Sequence, residues 1–280
     1  MQFNGIDVSH HNGTIYWPQV KQSGVSFAMI HAGFGESLQN LDPLFQQNVE
    51  GALSAGIAVG LYWFSYAYTI EMARQEAQIL MEAATPYRGS ISYPLSFDWE
   101  YASDSYAQKQ GVTPSNELIT DMAIAFLTTL QQGGWYAMNY CNLDYYYHKF
   151  QMDRLRQFDL WLADYNGVTN IPCGIQQTGA RAQIAGIASS STDSDIAFQD
   201  YPTIIRNAGF NGYSKPVNNH GEEDPGMIYQ TINAVPEWAR PTIQKLVDKG
   251  WLKGAEAGQL DLNDTMLRLL VINDRARLYN

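Results

Sequence analysis

Two carboxylates end one apolar run, Leu95-Ser96-Phe97-Asp98-Trp99-Glu100. Side chains alternate faces along a strand, so Asp98 and Glu100 point the same way, with Cα atoms roughly 6.6–6.8 Å apart. Two acids this close cannot both ionise freely, and one is expected to keep its proton near neutrality. A protonated acid beside an ionised carboxylate is the equipment for cleaving a glycosidic bond. A solvated strand end or a cation site is the alternative that the D-x-E spacing leaves open. A third acid, Asp7, closes the strand-like run Gly5-Ile6-Asp7-Val8, and a fourth, Asp193, follows the segment Ile184–Ile187. Aromatics lie between these acids at Tyr62, Trp63, Tyr66, Trp99, Tyr101, Trp161 and Tyr165. Such rings form either a sugar-stacking cleft or ordinary core. His10 and His11 are adjacent, and on a strand they would face opposite ways, so no metal site is expected; the stretch His10-His11-Asn12-Gly13 reads as a turn. No cofactor is expected, because Gly33-Phe34-Gly35 lacks a third glycine at Leu38 and no phosphate-binding loop is present. There is no G-x-S-x-G elbow or Cys-His signature for a nucleophilic hydrolase.

These acids need a scaffold that gathers strand ends. Strand-like segments occur at Gly5–Val8, Ser26–Gly33, Ile57–Tyr66, Tyr93–Glu100, Trp135–Cys141, Leu160–Tyr165, Gly174–Thr178 and near Ile184–Ile196. Helix-like segments alternate with them at Pro43–Ala55, Glu71–Ala84 (after a capping Thr69) and Ser115–Gln132. Eight strands alternating with helices over about 200 residues predict an α/β fold, a (β/α) TIM-like barrel with the acids at its mouth. Residues 1–210 form this expected barrel domain. Residues 211–226, rich in Gly, Ser, Pro, Asn and acids, read as a linker. Residues 227–280 read as a small helical module with helices over Pro236–Lys249 and Asp264–Ile272, whose core is marginal alone and needs the barrel or a second copy of the chain.

Composition narrows the partners. The 280 residues carry 28 acidic and 17 basic side chains, a net charge of −11, with 45% hydrophobic residues and 13% aromatics. That is ample core material and excludes intrinsic disorder. The charge disfavours nucleic acid and anionic membranes as partners. No apolar run approaches a membrane span, and the first residues lack the basic and apolar regions of a secretory signal. Cys141 and Cys173 read as reduced core thiols, with a disulfide as the lesser alternative.

The chain resembles glycoside hydrolase family 25, the Chalaropsis-type N-acetylmuramidases. The resemblance runs through Gly5-Ile6-Asp7-Val8-Ser9, Phe27-Ala28-Met29-Ile30-His31-Ala32-Gly33-Phe34-Gly35, Asp42…Phe45…Asn48, Gly60-Leu61-Tyr62-Trp63-Phe64-Ser65-Tyr66-Ala67, Phe97-Asp98-Trp99-Glu100, Leu160-Trp161-Leu162-Ala163 and Asp193…Tyr201-Pro202. It implies a flattened barrel that hydrolyses the β-1,4 bond between N-acetylmuramic acid and N-acetylglucosamine in peptidoglycan. It also implies Glu100 as general acid/base, Asp98 as the carboxylate assisting the substrate's acetamido group with net retention, and Asp7 and Asp193 as supporting acids. Substrate contact is expected from Tyr62, Trp63, Tyr66, Trp161, Asp164 and His31. His31 stands where the family usually has Arg, Trp63 where many members have His, and Gln176-Gln177 where Trp-Gln is usual. The alternatives are a non-catalytic wall-carbohydrate binder and a wall amidase. Residues 235–260 resemble one S-layer-homology repeat, which implies a wall-binding or dimerising role. Together these features predict a phage-type endolysin made in the cytoplasm and acting on the bacterial wall.

Overall fold

The structure is a computed structural model that describes residues 2–189, 191–215, 228–253, 259–275 and 278–279. The chain divides into two compact units, Met1–Pro216 and Val217–Asn280. Of the expected 211–226 linker, residues 216–226 lie outside the described residues, as does Gly254 of the repeat-like tail. Asn211 itself is buried in the first unit.

The first unit is a closed eight-stranded barrel: β1 (Phe3–Val8), β2 (Phe27–Phe34), β3 (Ala58–Phe64), β4 (Leu95–Asp98), β5 (Ala137–Asn142), β6 (Asp159–Ala163), β7 (Ile175–Ala182) and β8 (Thr192–Ala197). Its helices are α1 (Trp17–Gln22), α2 (Phe45–Ser54), α3 (Ile70–Ala84), α4 (Tyr101–Lys109), α5 (Asn116–Gln132), α6 (Leu143–His148), α7 (Met152–Leu155) and α8 (Tyr201–Ala208). The α/β alternation therefore produces the expected barrel. Strands β1 to β7 run parallel, but β8 is antiparallel to both neighbours, β7 and β1. The reason is local: β7 and β8 are joined directly, without a crossover helix to return the chain.

Strand parity sorts the side chains into two layers. Ala28, Ile30, Leu61, Trp63 and Phe97 face the helices and pack with Ala77 and Leu80 of α3 and Phe126 and Leu130 of α5. Phe27, Met29, Met138, Tyr140, Trp161 and Ile175 form a second cluster with Tyr201 and Ile205 of α8. The barrel interior is tight. A Cβ on Gly5 would lie 2.2 Å from the Phe27 ring, so that strand needs a residue without a side chain. The expected helix starts are capped as read: Thr69 Oγ1 accepts from Met72 N–H at 3.2 Å and Ser115 Oγ from Leu118 N–H at 3.1 Å. Asn211, with φ 55°, ties down the start of β5: Tyr136 N–H donates to its Oδ1, and its Nδ2 donates to the carbonyls of Ile91 and Tyr93.

The second unit holds α9 (Arg240–Asp248) and α10 (Asp264–Arg275) around a small core that includes Tyr229, Val235, Ile243, Leu246, Leu262, Leu267 and Val271. Lys245 and Asp274 pair between the helices at 2.6 Å. No helix among the described residues is long and apolar enough to cross a membrane.

Candidate active site

A cleft of about 540 Å³ opens where the parallel strands end. The interior-facing parity delivers its walls: Asp7 from β1, His31 from β2, Tyr62 and Phe64 from β3, Asp98 from β4, Tyr140 from β5, Trp161 from β6, Gln177 from β7 and Asp193 from β8. Glu100 lies just past β4 in extended backbone (φ −135°, ψ −172°) as the residue that starts α4, so it keeps strand parity and joins Asp98 in the cleft while Trp99 is buried on the opposite side. All four acids expected at the mouth are there. Asp7 and Asp193 sit directly opposite in the β1–β8 register.

Asp195, two residues on from Asp193, adds a fifth carboxyl, itself buried, and accepts from Trp161 Nε1 at 2.8 Å. Sequence reasoning passed over it, although the D-x-D spacing carries the same parity signal as Asp98 and Glu100. Gln177, noted in the sequence only as part of the Gln176-Gln177 departure, turns out to organise the acids and phenols of the cleft. Its Nε2 donates to Asp7 Oδ2 at 2.8 Å, and its Oε1 accepts from Tyr140 at 3.1 Å and Tyr165 at 2.7 Å. Two consecutive buried glutamines in an interior strand were the available clue.

Burial is the first cause of the electrostatics. It pushes Asp98 well above the usual carboxylate range, and the charge of Glu100 adds to this. Burial likewise raises Glu100, while the Tyr140 hydroxyl pulls it back. Mutual repulsion is therefore second to desolvation here. Burial also raises Asp7, with Asp195 and Asp193 adding repulsion and Gln177 opposing. Asp195 is pushed to about 7 and Asp193 to about 6. Among the described residues no Lys or Arg pairs with any of the five. Asp98 Oδ1 is buried and has no hydrogen-bond partner in the protein. The site is a cluster of carboxyls built to hold protons rather than to neutralise them with cations.

The aromatic wall includes Tyr62, Tyr66, Trp161 and Tyr165 together with Phe34 and Phe64. Tyr62 meets His31 at 4.9 Å and Trp161 at 5.8 Å between ring centroids. Two expected contacts are corrected. Trp63 is fully buried on the helix side of β3, with Nε1 donating to the Gly35 carbonyl, because it lies between two interior-facing residues. Asp164 is buried and lies outside the cleft lining; its Oδ1 accepts from Asn166 N–H at 3.1 Å and Asn166 Nδ2 at 2.9 Å, which closes a local turn. The turn expected over His10-His11-Asn12-Gly13 is present: His10–Asn12 form a 3-10 turn, and the His10 and His11 ring centroids lie 3.9 Å apart. Cys141 and Cys173 are both free.

Comparison with known proteins agrees with the barrel fold. Solved structures sharing the fold include a family 25 glycosyl hydrolase from Bacillus anthracis (TM-score 0.60, 20% identity, covering 75% of this chain and 93% of that one). The catalytic domain of the endolysin ply40 from bacteriophage P40 of Listeria monocytogenes is similar too (TM-score 0.60, 21% identity, covering 76% and 98%). In sequence, Lysozyme M1 of Streptomyces globisporus is 46% identical over 61 residues, which is 22% of this chain and only 20% of that protein. The model of the family described as glycosyl hydrolases family 25 matches residues 6–178, more than half of the chain. This chain belongs to that family.

Proposed function

We propose that the protein is a peptidoglycan hydrolase, an N-acetylmuramidase that cuts the β-1,4 bond between N-acetylmuramic acid and N-acetylglucosamine. The observation that carries this reading is the Asp98–Glu100 pair, facing one aromatic-walled cleft with both carboxyls raised by burial and no Lys or Arg paired with them among the described residues. Glu100, held in its protonated form, donates to the glycosidic oxygen as the bond to C1 breaks. Asp98 holds the acetamido group so that its carbonyl oxygen approaches C1 from the opposite face and receives the developing positive charge. Water then attacks C1, with Glu100 now taking the proton, and the configuration is retained. Asp193, raised only to about 6, is ionised at neutral pH and stabilises an oxocarbenium-like transition state, with Asp7 opposite it in the register as a second supporting acid. Tyr62, Tyr66 and Trp161 supply faces and edges for the sugar rings.

Mass spectrometry of digested peptidoglycan tests this reading. New reducing ends on N-acetylmuramic acid support it. Freed amino groups with intact glycan would mean an amidase, and binding without release of either would mean a non-catalytic wall binder. The protein acts on the bacterial wall, as an endolysin does. The second unit serves wall retention or pairing with a second copy: Met266, Leu269 and Ile272 are exposed at three-residue spacing along α10, and Trp251 is half exposed.

A further inference from the structure

His10, His31 and Asp42 meet at one edge of the cleft from three separate segments. His10 opens the turn after β1, His31 sits on β2 just before its register shift, and Asp42 precedes α2. Both imidazoles address the same atom. Nδ1 of His10 lies 2.7 Å, and Nδ1 of His31 3.0 Å, from Asp42 Oδ2. The Asp42 side chain is fully buried, yet its partners include no Lys or Arg among the described residues. Besides the two rings it accepts from His10 N–H at 3.0 Å and Leu44 N–H at 2.9 Å. Burial alone would raise its pKa, but these donors hold the carboxylate well below its usual range.

We propose that His10, His31 and Asp42 form a binding site for one transition-metal dication of the Zn2+ type, open to the cleft. Three potential ligand atoms, one from each residue, already lie within 4.8 Å of one another. Tetrahedral zinc bonded at about 2.0–2.1 Å keeps neighbouring ligand atoms roughly 3.3 Å apart. The observed N···O separations of 2.7 and 3.0 Å would open by about 0.6 and 0.3 Å, and the separation between the two ring nitrogens lies within the same 4.8 Å. Two imidazoles and one carboxylate form a set that prefers Zn2+, Co2+, Ni2+ or Cu2+ to Mg2+ or Ca2+. On binding, each ring would present Nδ1 to the ion and carry its proton on Nε2, so the ion replaces the two contacts to Asp42 Oδ2. The backbone is prepared for this: Ser9 N–H donates to Asn12 Oδ1 at 2.9 Å, which fixes the turn that presents His10. His10 and His31 also line the cleft, so an ion there leaves a fourth coordination position facing the glycan path.

Titration of the metal-free protein with Co2+ tests the site, because tetrahedral Co2+ has intense visible absorption. The expected result is one saturable equivalent, displaced by Zn2+ and weakened at least about tenfold in His10→Gln and in His31→Gln. His11 and His148 remain in both variants, so adventitious binding there would survive the substitutions. Absence of a saturable site, or a site unchanged in both variants, would overturn the proposal. The His10 side chain is 39% exposed in a surface turn, so His10→Gln should fold and decides the matter if an interior variant does not. The cobalt spectrum is read without turnover, so this outcome is separate from the role proposed for Glu100.

Discussion

Gln177 and Asp7 are 170 residues apart in the chain, yet Gln177 Nε2 donates to Asp7 Oδ2 at 2.8 Å inside the barrel mouth. The same amide accepts from Tyr140 and Tyr165, so one side chain holds an acid and two phenols in register. Gln177→Leu removes a donor from a buried carboxyl and the shared acceptor of two hydroxyls. Leaving buried polar groups unpaired costs about 1–3 kcal/mol, so turnover of purified cell walls should fall about 5- to 100-fold. A rate within twofold of the parent would show that this bridge does not order the site.

Glu100→Gln keeps the shape of the side chain but cannot give up a proton to a leaving sugar. Asp98→Asn cannot carry the negative charge that an acetamido group needs as it attacks. Each should lower reducing-end release about 10²- to 10⁴-fold. Melting temperature should hold or rise, because each change removes an ionisable group that burial disfavours. Parental rates in both variants would remove these two residues from the mechanism.

Glu76 links acidity to stability. It lies on α3 behind β3, accepts from Ser65 Oγ and from Tyr66 N–H, and is pushed from 4.5 to about 8, chiefly by burial. A carboxyl raised on folding stabilises the native state below its unfolded pKa, and that stability is lost as pH rises through the folded value. Stability should therefore decline between about pH 4.5 and 8, with Asp193 and Asp195 acting in the same direction. Asp42 has the opposite sign, but its effect lies in strong acid, below this window. Thermal melts at pH 5.5 and 8.5 should differ, and Glu76→Gln should narrow that difference. An equal gap in the variant would exonerate Glu76.

Asn211 combines a left-handed backbone with three side-chain hydrogen bonds at the far end of the barrel. Asn211→Ala strands buried polar groups and leaves a Cβ at φ 55°, so it should cost about 2–4 kcal/mol. Asn211→Gly loses the same bonds but relieves the backbone, and should be about 1 kcal/mol less damaging. Urea midpoints order the two variants.

Truncation after Pro216 leaves the barrel unit and removes α9 and α10. Hydrolysis of soluble glycan fragments should persist, while wall retention or solution mass should fall. If neither falls, the tail has no targeting or pairing role.

Most of the barrel was legible because its strands are apolar runs broken by capped amphipathic helices. The acid pair was legible too, since period-2 parity places Asp98 and Glu100 on one face. The same parity, applied to β3, assigns Tyr62 inward and Trp63 outward, whereas residue type alone favours the tryptophan. Asp195 was equally within reach of the spacing rule. The His10–His31–Asp42 cluster was not, because it depends on a turn after β1 and on a bulge in β2 that bring distant segments together. Nor was the reversed direction of β8, which follows from a missing helix rather than from any residue within the strand.

That reversal gives the acids two different origins. Asp7, Asp98 and Glu100 come at or near the ends of strands that run toward the mouth, whereas Asp193 and Asp195 come near the beginning of one that runs away from it. Asp193 and Asp195 therefore belong to a strand that contributes neither Asp98 nor Glu100, and the charge around the cleft can be altered at those two positions while β4 and its carboxyl pair stay fixed. Evolution or a protein engineer could retune the acidity of this cleft from that one antiparallel strand without touching Asp98 or Glu100.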